Sequence, residues 1–62
     1  MSVLSDYTKA MVAGYLTQCI AIEKRHDLYG YPPELVSVGL KAVDEGRNPG
    51  EAVDLYLEGG AA

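Results

Sequence analysis

The chain has no tryptophan and no phenylalanine, and only one cysteine (Cys19) and one histidine (His26). A single cysteine forms no internal disulfide, and the same count rules out four-cysteine and cysteine–histidine zinc sites. With His26 as the only histidine, no Ser/His/Asp set can be placed together. Positive charge is scarce too: 5 Lys and Arg stand against 9 Asp and Glu, for a net charge of −4. Nucleic-acid binding depends on Lys and Arg neutralising phosphates, so this balance argues against it. No segment alternates polar and apolar residues at strand period. No glycine-rich phosphate loop following a strand is therefore available.

The most informative lack is of charge between Ala10 and Ile22. Ten of those thirteen positions are apolar, and the other three are Gly14, Thr17 and Gln18. Crossing a bilayer takes about 20 apolar residues, so this run, bounded by Lys9 and Glu23, is too short for a membrane span. The segment 1–8 carries Asp6 and no Lys or Arg, whereas a secretion signal needs positive charge there. The expectation is a soluble, cytoplasmic chain, and a lone thiol in an apolar run fits that reducing setting.

Sixty-two residues make one domain, 1–62. A domain of this size buries only about 60% of the surface its unfolded chain exposes. Small folds usually need reinforcement by disulfides, a metal or oligomerisation. Oligomerisation is the remaining common solution here.

The spacing predicts an all-α fold with one long N-terminal helix and two short ones, packed as a homo-oligomeric helical bundle. The long helix is placed at Ser5–Leu28. Ser5 or Ser2 caps it, and Asp6 suits the positive end of its dipole. Gly14 falls in its interior, where glycine costs roughly 1 kcal/mol against alanine, and is either tolerated or allows another helix to approach. The second helix runs from Pro33 to Glu45, with Pro33 in its first turn. Leu35, Val36, Val38, Gly39, Leu40, Ala42 and Val43 form its apolar face. Asn48-Pro49-Gly50-Glu51 signals a third helix: Asn48 caps, Pro49 takes the first position, and Glu51 follows in capping-box fashion. Ala52, Val53, Tyr56 and Leu57 are expected to face inward, with Asp54 and Glu58 toward water. Gly59-Gly60 stops the helix.

A helix that is apolar all round needs cover on every side. Met11, Val12, Tyr15, Leu16, Cys19 and Ile20 are the candidate self-association residues, and the expected cover is a second copy or another protein. Glutamate at Val12 or Leu16 is expected to disrupt the oligomer and the fold, because a buried unpaired charge is costly. The loop Tyr29-Gly30-Tyr31-Pro32-Pro33 is the candidate surface for a different partner. Tyr29, Tyr31, Pro32 and Pro33 offer rigid amphipathic area of the kind enriched at binding sites, though both rings could instead close the end of the bundle. Gly30 is available as a positive-φ cap for the first helix. The acids Asp44, Glu45, Glu51 and Asp54 are expected to set the salt dependence of association.

Over residues 29–57 the pattern resembles the second and third helices of ubiquitin-associated (UBA) domains. Those have a Met-Gly-Phe/Tyr loop, an Ala-Leu pair in the next helix, and an Asn-Pro-x-x-Ala-Val start to the last. This chain has Tyr29-Gly30-Tyr31, Gly39-Leu40 and Asn48-Pro49-Gly50-Glu51-Ala52-Val53. It departs in having Tyr29 for the loop Met, a connection at Asp44–Arg47 about two residues longer, and Glu23 and His26 where the first UBA helix has apolar residues. The resemblance implies ubiquitin binding through this loop and the end of the last helix.

Glu23-Lys24-Arg25-His26 contains the Glu-x-x-His pair that carboxylate-bridged di-iron bundles use. A small metal-binding bundle enzyme is the alternative it raises. Lys24 and Arg25 oppose a cation there, and the expected role is a solvated helix end, with no metal or cofactor. Cys19 is expected to be a buried, inert thiol. Taken together, the residues point to a non-enzymatic protein-interaction or accessory subunit whose partner is itself, another protein, or both.

Overall fold

Gly14 divides the predicted long helix in two. The structure, a computed structural model, describes residues 2–59. It contains four helices: α1 (Val3–Ala13), α2 (Leu16–Arg25), α3 (Pro33–Asp44) and α4 (Pro49–Gly59). The all-α class is as expected, while the single helix over Ser5–Leu28 is not formed. Gly14 takes a left-handed conformation at φ 82°. Its N–H donates to Met11 O (3.1 Å), and the Tyr15 N–H donates to Ala10 O (2.8 Å). This pair of bonds is a Schellman termination, which satisfies the last carbonyls of a helix by reversing the chain. Gly14 is thus a helix stop. A Cβ placed on it would meet nothing within 4 Å, so it accommodates no approaching helix.

The same device ends the next two helices. After α2 the Leu28 N–H donates to Glu23 O and the Asp27 N–H to Lys24 O, with Asp27 at φ 58°. The predicted cap at Gly30 therefore falls three residues earlier, on a non-glycine residue. After α3 the Arg47 N–H reaches Ala42 O and the Gly46 N–H reaches Val43 O.

The starts of α3 and α4 match the sequence signals. Pro33 opens α3, where its missing N–H is no loss. Asn48 Oδ1 accepts from the Glu51 N–H at 3.1 Å. At the start of α1 the N–H groups of Val3, Leu4, Ser5 and Asp6 all find acceptors. Ser2 Oγ accepts from Ser5 N (2.9 Å) and Ser2 O from Asp6 N (3.1 Å). The Val3 and Leu4 N–H groups donate to the Asp44 carboxylate at the far end of α3.

α3 is the hub, packing against α4 and α1, while α2 packs on α1. The core joins Tyr7, Ala10, Cys19, Leu28, Leu35, Val36, Leu40 and Val53. Leu28 is wholly buried and lies over Gly39, where a Cβ would sit 2.7 Å from both leucine methyls. All seven residues of the predicted α3 face are buried or half-buried. On α4, Ala52, Val53 and Tyr56 turn inward as expected. Leu57 does not: it is 59% exposed, because Ala52, Val53 and Tyr56 together set the inward face and Leu57, in the last turn of α4, falls to one side of it. Gly60, half of the predicted stop, lies outside the described residues. No helix among the described residues is long and apolar enough to cross a membrane.

Candidate interaction surface

The turn between α1 and α2 brings the uncharged run to the outside of a helical corner. Five of the six predicted self-association residues are exposed there, from 41% at Ile20 to 83% at Val12, with Met11, Tyr15 and Leu16 between. The sixth, Cys19, faces the other way. It is 4% exposed, and its thiol points toward Tyr7 O at 3.9 Å. The hairpin explains the division. Folding back lets Tyr7, Ala10 and Cys19 share one core, and that leaves the outer faces of both helices uncovered. Because Val12 and Leu16 are exposed, a charge at either place meets water, so the expected loss of fold does not follow for the single chain.

Tyr29, Tyr31, Pro32 and Pro33 are all exposed, so neither tyrosine ring is buried as a plug of the bundle. The loop is anchored beneath by Leu28, whose carbonyl accepts from the Tyr31 N–H at 3.2 Å. Pro32 O then accepts from the Leu35 and Val36 N–H groups, so the loop runs directly into α3. Of the four acids expected to govern salt dependence, two are engaged within the chain. Asp44 caps α1, and Glu45 pairs with Arg47 at 2.6 Å. Glu51 and Asp54 are exposed on α4.

Glu23 and His26 lie in different surroundings. Glu23 is half-buried and accepts from the Tyr7 hydroxyl at 3.2 Å. Burial, the nearby Glu23 charge and this hydrogen bond push the Tyr7 pKa up to about 12. His26 caps the end of α2 and lines an open cleft of about 320 Å³ together with Arg25, Asp27, Asn48, Pro49 and Gly50. Among the described residues, no three or more His, Cys, Asp or Glu side chains gather as a metal-ligand set. The cleft is lined mainly by polar and charged side chains, whereas small-molecule pockets are mostly apolar.

Nothing local in the sequence signals that the end of α2 meets the start of α4, so this cleft is visible only in the fold. Leu55, which no sequence pattern singled out, and Leu57, expected to face inward, are both exposed on α4. Comparison with family models, with curated proteins and with solved structures returns no match to this chain.

Proposed function

We propose that this chain is a non-enzymatic protein-interaction module, an accessory or regulatory subunit that acts as a small helical oligomer. One observation carries the reading. The large side chains of the core are Tyr7, Leu28, Leu35, Val36, Leu40 and Val53, while five large exposed hydrophobic residues, Met11, Val12, Tyr15, Leu16 and Ile20, fall within one ten-residue stretch at the α1–α2 turn. A monomer rarely leaves more apolar surface in one place than a few hundred Å², and larger patches mark association sites. The buried thiol of Cys19 suits a reducing, cytoplasmic setting.

In this reading the Tyr29–Pro33 loop takes a different protein. Tyr31→Ala is expected to weaken capture of that partner from the source cell while helicity by circular dichroism is unchanged. Equal capture by the variant would make the loop structural. A ubiquitin-binding role is the second reading, favoured by the exposed Tyr29-Gly30-Tyr31 loop with Gly30 at φ 96°. Titration of labelled protein with ubiquitin tests it, and no saturable change by about 1 mM, where binding free energy is only some 4 kcal/mol, ends it.

A further inference from the structure

We infer that the apolar corner of α1 and α2 is the seat of a second copy of this chain, docked about a two-fold axis. The inference rests on the oligomeric reading above and specifies its surface, its partner and its symmetry.

The size of the corner supports a second copy. Met11, Val12, Tyr15, Leu16 and Ile20 fall within ten consecutive residues and are 45%, 83%, 59%, 67% and 41% exposed. A fully buried aromatic side chain removes about 150–250 Å² from water and an aliphatic one less, so complete cover of the exposed parts of these five removes at most roughly 550 Å² per copy. Two such faces together bury up to about 1,100 Å², which reaches the ~1,000 Å² that a specific interface needs. A two-fold arrangement is the one in which a single patch serves as both halves of the contact. The chain then needs no second complementary surface.

Charge selects the same face. Residues 1–31 hold Asp6, Glu23 and Asp27 against Lys9, Lys24 and Arg25, which cancel. Residues 32–62 hold six acids against Lys41 and Arg47, and so carry the whole −4. Docking through α3 and α4 would press two acidic surfaces together. Docking through α1 and α2 joins two neutral halves across a stretch without any charged side chain. Cys19 is excluded from the contact because it is sealed in each copy's own core. The dimer leaves Tyr29 and Tyr31 of each copy outside the contact set, so it carries two partner loops.

Sedimentation equilibrium from about 1 to 500 µM, the range in which modest interfaces associate, is the test. The expected mass rises from 6.6 kDa toward twice that value. Val12→Glu and Leu16→Glu are each expected to weaken association at least tenfold with an unchanged helical spectrum, since both positions are exposed in the single chain. Leu55→Glu and Leu57→Glu, at similarly exposed leucines of α4, are expected to leave association within twofold. Raising salt from 50 to 500 mM should leave it unchanged or tighter, because screening relieves the repulsion between the acidic halves.

A wild-type chain that stays at 6.6 kDa throughout overturns the inference. So does a mass above two copies, a salt-induced loss of more than threefold, or a dimer that survives both corner substitutions. In that last case an oligomer still exists and only the surface is wrong. Failure of partner capture by the Tyr31 loop is read separately, with both corner variants and wild type, and bears on the functional reading alone.

Discussion

The carboxylate of Asp44, last residue of α3, accepts a hydrogen bond from the backbone N–H of Leu4 at 3.0 Å and another from Val3. A carboxylate at the C-terminal end of its own helix is unfavourably placed in that helix's dipole. At the N-terminal end of α1 it is favourable, and there it satisfies two amides that have no intrahelical acceptor. The contact joins residues forty positions apart and pins the start of the chain to the hub helix.

Asp44→Ala is therefore expected to lower stability by about 1–2 kcal/mol, the usual loss on removing a helix cap. For a domain of this size that is a fall in Tm of roughly 5–15 °C. Asp44→Asn keeps one acceptor oxygen and should lose about half as much. Thermal melts followed at 222 nm check both. Amide hydrogen exchange should show the loss concentrated at Val3 and Leu4, and uniform exchange across α1 would refute local capping as the cause.

The packing of Leu28 over Gly39 sets a second expectation. A methyl at position 39 would lie 2.7 Å from both Leu28 Cδ atoms, and Leu28 has no exposed surface to move into. Overpacking of this kind costs typically 1–3 kcal/mol, against a gain of up to about 1 kcal/mol from replacing a mid-helix glycine. Gly39→Ala should lose about 1 kcal/mol on balance. Leu28→Ala alone should lose about 3 kcal/mol through the cavity it opens. The double variant should lose less than the sum by about 1 kcal/mol, because the new methyl enters the vacated space. Urea unfolding of all three decides this, and strict additivity would contradict the contact.

Tyr7 gives the pH dependence. Its pKa is raised from 10.0 to about 12, so the folded protein holds this proton more tightly than the unfolded chain does. The associated stability is fully present below pH 10 and is lost as pH rises from about 10 through 12. Ultraviolet titration of the 5 tyrosines should show one phenol ionising near pH 12. Tyr7→Phe should abolish that step and reduce the loss of stability above pH 10. It should also lower neutral-pH stability by roughly 1 kcal/mol through the missing bond to Glu23. Five tyrosines titrating together near pH 10 would show Tyr7 to be in ordinary solvent.

Gly14 and Asp27 occupy equivalent left-handed positions with opposite residue choices. A side chain at positive φ costs about 1–2 kcal/mol, less for aspartate. Gly14→Ala should therefore lower stability by about 1 kcal/mol, and Asp27→Gly should raise it by a few tenths to 1 kcal/mol. Opposite shifts in the chemical denaturation midpoint are expected, and shifts of the same sign would be inconsistent with the two caps.

The helical class, the start of α3 at Pro32-Pro33 and the start of α4 at Asn48-Pro49 were legible in the residues, because a cap satisfies backbone groups within four positions of itself. So was the apolar face of α3, whose buried residues repeat at helical period. The outward corner of α1 and α2 was legible only in part: the uncharged run predicted uncovered apolar surface, and that surface exists at Met11, Val12, Tyr15, Leu16 and Ile20. The break at Gly14 was not legible. An interior glycine and a terminating glycine differ by about 1 kcal/mol locally, and the burial of Tyr7, Ala10 and Cys19 in one core favours the turn. Tertiary packing likewise decided that Leu57 faces water, that Leu28 covers Gly39, and that Asp44 serves the start of α1. These contacts join different helices or depend on helix rotation, and no period or cap in the local sequence encodes which face of one helix another will meet.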